Sequence, residues 1–591
     1  MFHTSACLVV VSLGLLPLAQ SPKPIARSLK PKAQSLKAPA AAQVIAAQQF
    51  PTAPGLPVPR RDSPPKLGTA RIRGRVVAAD TGEPLRKAQV RAMSADLRDS
   101  RLATTDRSGF YEFSELPAGR YQLMASKGSF VQLQYGQTRP FEPGKPLEVV
   151  DGQTIERVDF GLPRGAVITG RVVDEFGEPM SDISVTVSRY QFIQGQRQLV
   201  PAGRFGTTND IGEYRIFGLP PGQYYLSATL RTNTPFDVTT TTGDRTGYAA
   251  TYYPGTAYPA EAQRLNIELG QIHSGIDVVL ATARLARITG SVFDADGKPV
   301  TGGMLTMMQS NGGAFFMVAL AGQIRPDGTF TISNVAPGEY VLRAVNGPGF
   351  FGPGDAAESI SANVKVVGDD IDGLRLTGVR ASTVTGRVLL PQPGGDRVRP
   401  ASIQLYTVSA QLSPIINGGA GGGRVADDLT FTLKVEPGRQ FIRLRQPQDL
   451  VLKAVRVNGD DVTDSGVVFR PNEDVSGVEI ELTTNHSEIS GTVADARGQA
   501  SKDYSVVVFA RDSRRWTNAS RYFGGGRPDQ DGRFKVRDLP PGDYYAIALD
   551  YVEPGAGTDP EFLERIRARA TEFSLNEGQV RALDLTLVSV P

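Results

Sequence analysis

The stretch Thr208–Tyr225, TNDIGEYRIFGLPPGQYY, decides how the chain is read. It holds two breaks. Asp210-Ile-Gly212 is expected to be a tight turn, because Asp can bond its own backbone and Gly tolerates positive φ. Pro220-Pro221-Gly222 is the second break, and Tyr224 opens the next apolar run. Between the breaks, Tyr214, Ile216 and Gly218 alternate with Arg215 and Phe217, the period of a half-buried strand. The pattern recurs as Asp106-Arg-Ser-Gly109 with Leu116-Pro-Ala-Gly119 and Tyr121, as Asp327-Gly328 with Pro337-Gly338 and Tyr340, and as Asp531-Gly532 with Leu539-Pro-Pro-Gly542 and Tyr544. A worn copy keeps Asp427-Asp428 without the glycine, then Pro437-Gly438 and Phe441. Repetition on this scale governs the architecture.

Each copy is preceded by an opening strand and turn. The five openings are Arg71-IRGRVVAADTGEP, Val167-ITGRVVDEFGEP, Arg287-ITGSVFDADGKP, Thr383-VTGRVLLPQPGG and Glu488-ISGTVADARGQA. Their glycines, Gly74, Gly170, Gly290, Gly386 and Gly491, fall 96, 120, 96 and 105 residues apart. That spacing suits one β-sandwich of about 100 residues per copy. In Ile168, Gly170 and Val172 the glycine sits on the inward face, so another strand or a bulky ring should pack closely over it. Strict alternation in Ile183-Ser-Val185-Thr-Val187 and two closing strands bring the count to about seven per copy. The predicted fold is all-β, a tandem array of about five antiparallel seven-stranded β-sandwiches with one short helix near the C-terminus. The helix is read from Asp559 as cap, Pro560 at the first position, and Phe562, Leu563 and Ile566 as its apolar face. Glu561 and Arg565 are expected to pair across one turn.

The motif G-x-V-x-D-x-x-G-x-P, followed by D-x-x-G-x-Y-x-F-x-x-L-P-P-G-x-Y, resembles the carboxypeptidase regulatory-like domain family. The resemblance runs over roughly residues 70–591 and implies a transthyretin-like (prealbumin) or Cna-B-like sandwich, also grouped as a carbohydrate-binding-like fold. It implies an exported or outer-membrane-associated chain. The expected organisation is a signal peptide at 1–19, a Pro/Ala/Lys-rich linker at 20–69, and sandwiches at 70–164, 165–284, 285–380, 381–486 (degenerate) and 487–591.

Composition supports export without chemistry. Gly and Pro reach 64 and 42 of 591 residues and sit at turns. Ala6–Leu18, ACLVVVSLGLLPL, is an apolar run of signal-peptide length, too short for a stable membrane anchor. No later segment is long and apolar enough to be a transmembrane helix. The single cysteine, Cys7, lies in this leader, so the mature modules would rely on their cores alone. Between Gln20 and Ala70 eight Lys and Arg face one acid, Asp62, a net +7; set against +3 for the whole chain, this leaves −4 for the modules. A basic arm on an acidic body does not read as a nucleic-acid binder.

Of three histidines, His3 is in the leader; His273 is followed by Ser-Gly-Ile and His486 by Ser-Glu-Ile, so neither supplies the His-x-x-Glu of a zinc peptidase. No catalytic residue, metal or cofactor is expected. Asp294-Ala-Asp296-Gly and Asp529-Gln-Asp531-Gly look like the start of a calcium loop but lack its downstream acid, and read as hairpin turns. Lys–Asn isopeptide bonds, found in some Cna-B-like domains, are not expected, because the opening strands lack Lys. Binding remains. A sugar face stacks on an exposed ring, which makes Tyr252 and Tyr253 (with Tyr248 and Tyr258) one candidate platform. Trp516 and Tyr522, with Phe523 and flanked by Arg514, Arg515 and Arg521, are the other. Tyr253-Pro254-Gly255, echoed by Tyr135-Gly136, has a second reading as a structural clamp. Phe315 and Phe316 read as core, and Asn417-GGAGGG as a flexible lobe. The expected function is non-catalytic binding at the cell surface or envelope, with carbohydrate first. The alternatives are an envelope spacer or scaffold, and an accessory subunit of a separate hydrolase or transporter. Expected partners are therefore glycans or envelope proteins, and the expected location is secreted, periplasmic or outer-membrane-associated.

Overall fold

The computed structural model describes residues 68–589, apart from 95–96, 98–99, 194–195, 231–245, 310–318, 346–357, 392–397, 411–422, 446–449 and 518. The leader, most of the basic linker, Phe315 and Phe316, and the lobe at Asn417 lie outside the described residues.

The chain folds as a series of two-sheet β-sandwiches. In the first, Ala70–Ala78 lies between Phe110–Leu116, antiparallel, and Thr154–Ile155 and Phe160–Leu162, both parallel. The facing sheet runs Arg101–Thr104, Gln89–Met93, Gly119–Ser126 and then Leu133–Gln134. Ala70–Ala78 alternates between buried and solvent-facing positions along its length, as a strand with one apolar face should. Five apolar cores follow one another along the chain. They are centred on Ile72 and Tyr121, Ile168 and Tyr224, Ile288 and Leu342, Val384 and Leu433, and Ile489 and Tyr544. The expected antiparallel pairing gives way in one recurring place, where the opening strand and the closing strand of each module are parallel neighbours, and once more in the last module, where Leu585–Val588 also runs parallel to the end of Gly542–Leu549. A chain that starts and ends a sandwich in the same direction on the same sheet can do this, because the crossover passes through the other sheet.

The five opening glycines have one physical cause. A Cβ built on Gly74, Gly170, Gly290, Gly386 or Gly491 would stand 2.0, 2.0, 2.1, 1.9 or 2.0 Å from the carbonyl oxygen of Val158, Ile276, Leu374, Val478 or Leu583. Rings close over four of them: Tyr111, Phe330, Phe431 and Phe534 come within 3.2 Å of that Cβ. Where the ring is tyrosine its hydroxyl donates to the same carbonyl, Tyr111 to Val158 O at 2.6 Å and Tyr214 to Ile276 O at 2.5 Å.

The turns differ from expectation in one detail. In the quoted stretch the capping side chain is Asn209, not Asp210: Asn209 Oδ1 accepts from the N–H groups of Ile211 and Glu213. Asp106 and Asp529 occupy the same place in their modules and accept from residues two and four further on. The fourth residue of the turn is left-handed, φ +73° at Gly212, and the worn copy puts Leu429 there at φ +67°. Leu429 still accepts from Val388 N, as Gly212 does from Val172 N. The second break makes a tyrosine corner. Tyr121, Tyr224, Tyr340 and Tyr544 each donate to the carbonyl four residues back. In the worn module the matching residue is the buried Gln440, while Phe441 is its neighbour.

The last module has a second core. Ser505–Ala510 is buried on both faces. The helix Pro560–Arg567 covers its outer side with Phe562, Leu563 and Ile566, and Asp559 caps it by accepting from Glu561 N and Phe562 N. Glu561 and Arg565 do not pair as expected: Arg565 lies over the Phe562 ring, and the ion pair on this helix is Arg567 with Glu564 at 3.0 Å. Among the described residues no helix is long and apolar enough to cross a membrane.

Candidate functional site

Of the aromatic residues singled out from sequence, Tyr252, Trp516 and Tyr522 are buried, so these three do not form exposed platforms; Tyr253 is half-buried. Tyr252 is only 5% exposed and sits in the short strand Thr251–Tyr252 against Gly222–Leu230. Burial pushes its hydroxyl up to about 12. Tyr253 donates its N–H to Leu226 O and accepts from Gln263 N, which is the clamp reading. Tyr135 repeats it, donating to Leu123 O and accepting from Lys145 N. Tyr248 donates to Glu175 at 2.8 Å, and Tyr258 alone of the four is well exposed.

Trp516, 8% exposed, meets Phe509 edge to face and donates Nε1–H to Ala510 O at 2.8 Å. It belongs to the second core, beneath the helix. Tyr522, 7% exposed, stacks on Tyr544 and is covered by the Arg515 guanidinium 4.0 Å from its centroid. A ring so covered offers no open platform. Of the arginines that flank the cluster in sequence, Arg514 pairs locally with Asp512 and only Arg521 serves a junction. Arg521 grips Asp464 with two hydrogen bonds, 2.9 and 2.8 Å, and donates a third to Leu452 O. Tyr522 also donates to Asp464, and from the other side Arg443 donates to Ala519 O at 2.8 Å.

Burial pushes the Asp464 carboxyl up, but the Arg521 hydrogen bond and charge outweigh it and hold the group below the ordinary carboxylate value. Such a group adds stability that is complete above its unfolded value and is lost as pH falls through the lower folded one. The Asp464–Arg521 junction is therefore expected to hold unchanged down to about pH 4 and loosen below it. Amide protection of residues 451–465 and 517–524, taken as the exchange rate relative to the intrinsic rate at each pH, checks this at pH 6 and pH 3; protection as high at pH 3 as at pH 6 would contradict it.

Sequence reasoning missed a second junction altogether. Residues 134–148 meet residues 502–530. Arg527, its side chain 1% exposed, forms ion pairs with Glu142, 2% exposed, and with Asp503. Glu142 is fully engaged: its other oxygen accepts from the Thr138 N–H and hydroxyl and from Arg139 N, at 3.1–3.2 Å. Gln530 bonds the Glu148 backbone reciprocally, accepting from its N–H at 3.0 Å and donating to its carbonyl at 3.1 Å. Lys145 reaches Asp503 at 3.4 Å, and Arg139 lies over the Tyr551 ring. No periodicity marks Arg527 or Glu142 in the sequence; only proximity in space pairs them. Between these contacts lies a cavity of about 340 Å³.

The histidines remain apart from any such cluster. His273 ends a short strand beside Ile168, and His486 Nδ1 lies 2.7 Å from Asp538. The Asp-x-Asp-Gly stretches are occupied as turns: Asp294 accepts from Asp296 N and Lys298 N. Among the described residues no three His, Cys, Asp or Glu side chains converge to hold a metal.

Residues 71–163 and 167–269 each match the model of the carboxypeptidase regulatory-like domain family. No curated protein matches the chain. Among solved structures it is similar to the Bacillus anthracis TIE protein, at 10% identity and a TM-score of 0.14, over 67% of this chain and 68% of that one. It is also similar to a Streptococcus agalactiae minor pilin, at 12% identity and a TM-score of 0.21, over 36% of this chain and 95% of that one. A streptococcal ancillary pilin follows at 14% identity and a TM-score of 0.19, over 52% of this chain and 98% of that one. At these values the likenesses say nothing about activity or assembly.

Proposed function

We propose that this tandem carboxypeptidase regulatory-like domain protein is an exported, non-catalytic scaffold of the cell envelope, built of five domains bounded near 70–164, 165–284, 285–380, 381–486 and 487–591. The observation that carries it is the buried Arg527–Glu142 contact, which ties the last module back to the first. A flexible tether has no use for such a contact, which costs desolvation of two charges. A body that must present a fixed surface does. The repeated motif residues are also committed to structure, one oxygen of Asp106 and Asp529 to their backbone turns and the corner tyrosine hydroxyls to carbonyls. Envelope proteins or glycans are the partners this reading implies, and a secreted, periplasmic or outer-membrane-associated location goes with it. Carbohydrate binding, read at first from exposed rings, no longer draws support from Tyr252, Trp516 or Tyr522.

The test is to express the full chain with its own leader, and to assay the purified product on peptides and polysaccharides. The reading expects recovery outside the cytoplasm, a mass lower by the leader, and no turnover. Cytoplasmic retention, or hydrolysis that a chelator abolishes, would refute it.

A further inference from the structure

We infer that the cavity between the first and last modules binds a neutral polyhydroxylated ligand, a short glycan segment. The inference rests on the scaffold reading above, because only a closed junction forms the cavity. Its two walls come from parts of the chain some 370 residues apart: Gln134, Tyr135, Asp159 and Phe160 on one side, Lys502 and Asp529 on the other. Its volume of about 340 Å³ lies in the range of small-ligand sites.

The chemistry of the lining selects the ligand. Among the described residues three donors have no protein partner: the Lys502 ammonium, the Tyr135 hydroxyl and the Gln134 amide nitrogen. Burial, with Asp159 nearby, pushes the Tyr135 hydroxyl upward, so it stays protonated and able to donate. Two acceptors are only half used. Asp159 takes Arg75 N on one oxygen, and Asp529 takes two backbone N–H groups on one oxygen. Each leaves its second oxygen unengaged. Lysine disfavours a cationic ligand and the two aspartates disfavour an anionic one. Donors interleaved with acceptors suit groups that do both, and adjacent sugar hydroxyls are such groups. The Tyr135 ring, held edge-on by Phe160 at 6.1 Å, supplies an apolar wall.

The experiment uses the purified full chain. Calorimetry is run with maltotetraose, cellotetraose and chitotetraose, and with tetragalacturonate as the acidic comparison. At least one neutral sugar is expected to bind, and tetragalacturonate is not. Lys502→Ala combined with Tyr135→Phe, which leaves the packing ring in place, is expected to weaken binding at least tenfold, about 1.4 kcal/mol. Asp529→Asn, which keeps a capping oxygen, should weaken it by a smaller factor. Failure of all three neutral sugars to bind, preference for the acidic one, or variants that bind like the parent would each overturn the inference. Chromatography of the titrated sugars separates the two claims: intact sugar without binding sinks the cavity alone, whereas cleaved sugar sinks the non-catalytic reading.

Discussion

Gly290→Ala is expected to destabilise the third module by at least about 3 kcal/mol, a large part of the 5–15 kcal/mol that holds a typical domain. The added methyl would stand 2.1 Å from Leu374 O and 2.6 Å from the Phe330 ring. Neither can yield. Leu374 is the register partner of Gly290 in the parallel ladder, and Phe330 is 1% exposed at the centre of the core. Moving the carbonyl breaks the pairing of the closing strand; moving the ring opens the core. Gly297→Ala is the matched control in the same module. Its φ is +79° with nothing within 4 Å of the new methyl, so only left-handed backbone strain remains, about 1–2 kcal/mol. Urea titration followed by amide exchange on peptides from residues 286–309 and 329–345 resolves the two. Equal losses for both variants would show that close approach at Gly290 does not set its identity.

Arg527→Ala is expected to open the junction between the first and last modules, at a cost of about 3–5 kcal/mol in contact free energy. The loss is large because Glu142 would keep its burial and lose its counter-charge. The five cores are not touched by the change. The outcome is therefore specific: a larger radius of gyration by X-ray scattering, faster amide exchange at 134–148 and 502–530, and unchanged exchange in the strand Ile183–Ile193. Arg527→Met with Glu142→Leu removes both charges and is expected to recover most of the closed form, because an apolar pair of similar volume needs no counter-charge. A single variant whose scattering matches the parent would mean that the junction is held by Gln530 and the surrounding packing instead.

What was legible in the sequence was whatever a few neighbouring residues settle among themselves. Asp106 caps its own turn and Tyr121 closes its own corner, each with a partner at most four residues away. Asp559, Pro560 and the Phe562–Leu563–Ile566 face specify the helix in the same way. Even small misreadings were local: Asn209 caps in place of Asp210, and Gln440 takes the tyrosine position beside Phe441. The inward glycines could be read further, because an inward position without a side chain implies a close neighbour, although the sequence does not say that this neighbour is a parallel strand.

The sequence alone determined repeating turns, strand alternation and so the sandwich series, because hydrogen bonds and side-chain periodicity within a short span decide them. The tertiary structure alone decided which rings are covered and where a ligand could enter. Trp516 and Tyr522 carry the composition of a binding face, yet a helix about 40 residues away and an arginine from a neighbouring loop occupy them. Arg527 and Glu142, 385 positions apart, look like ordinary surface charges until the fold brings them together. Local alternation marks which face of an element turns inward, but whether a loop ring or a lone charge is covered depends on what arrives from elsewhere in the chain.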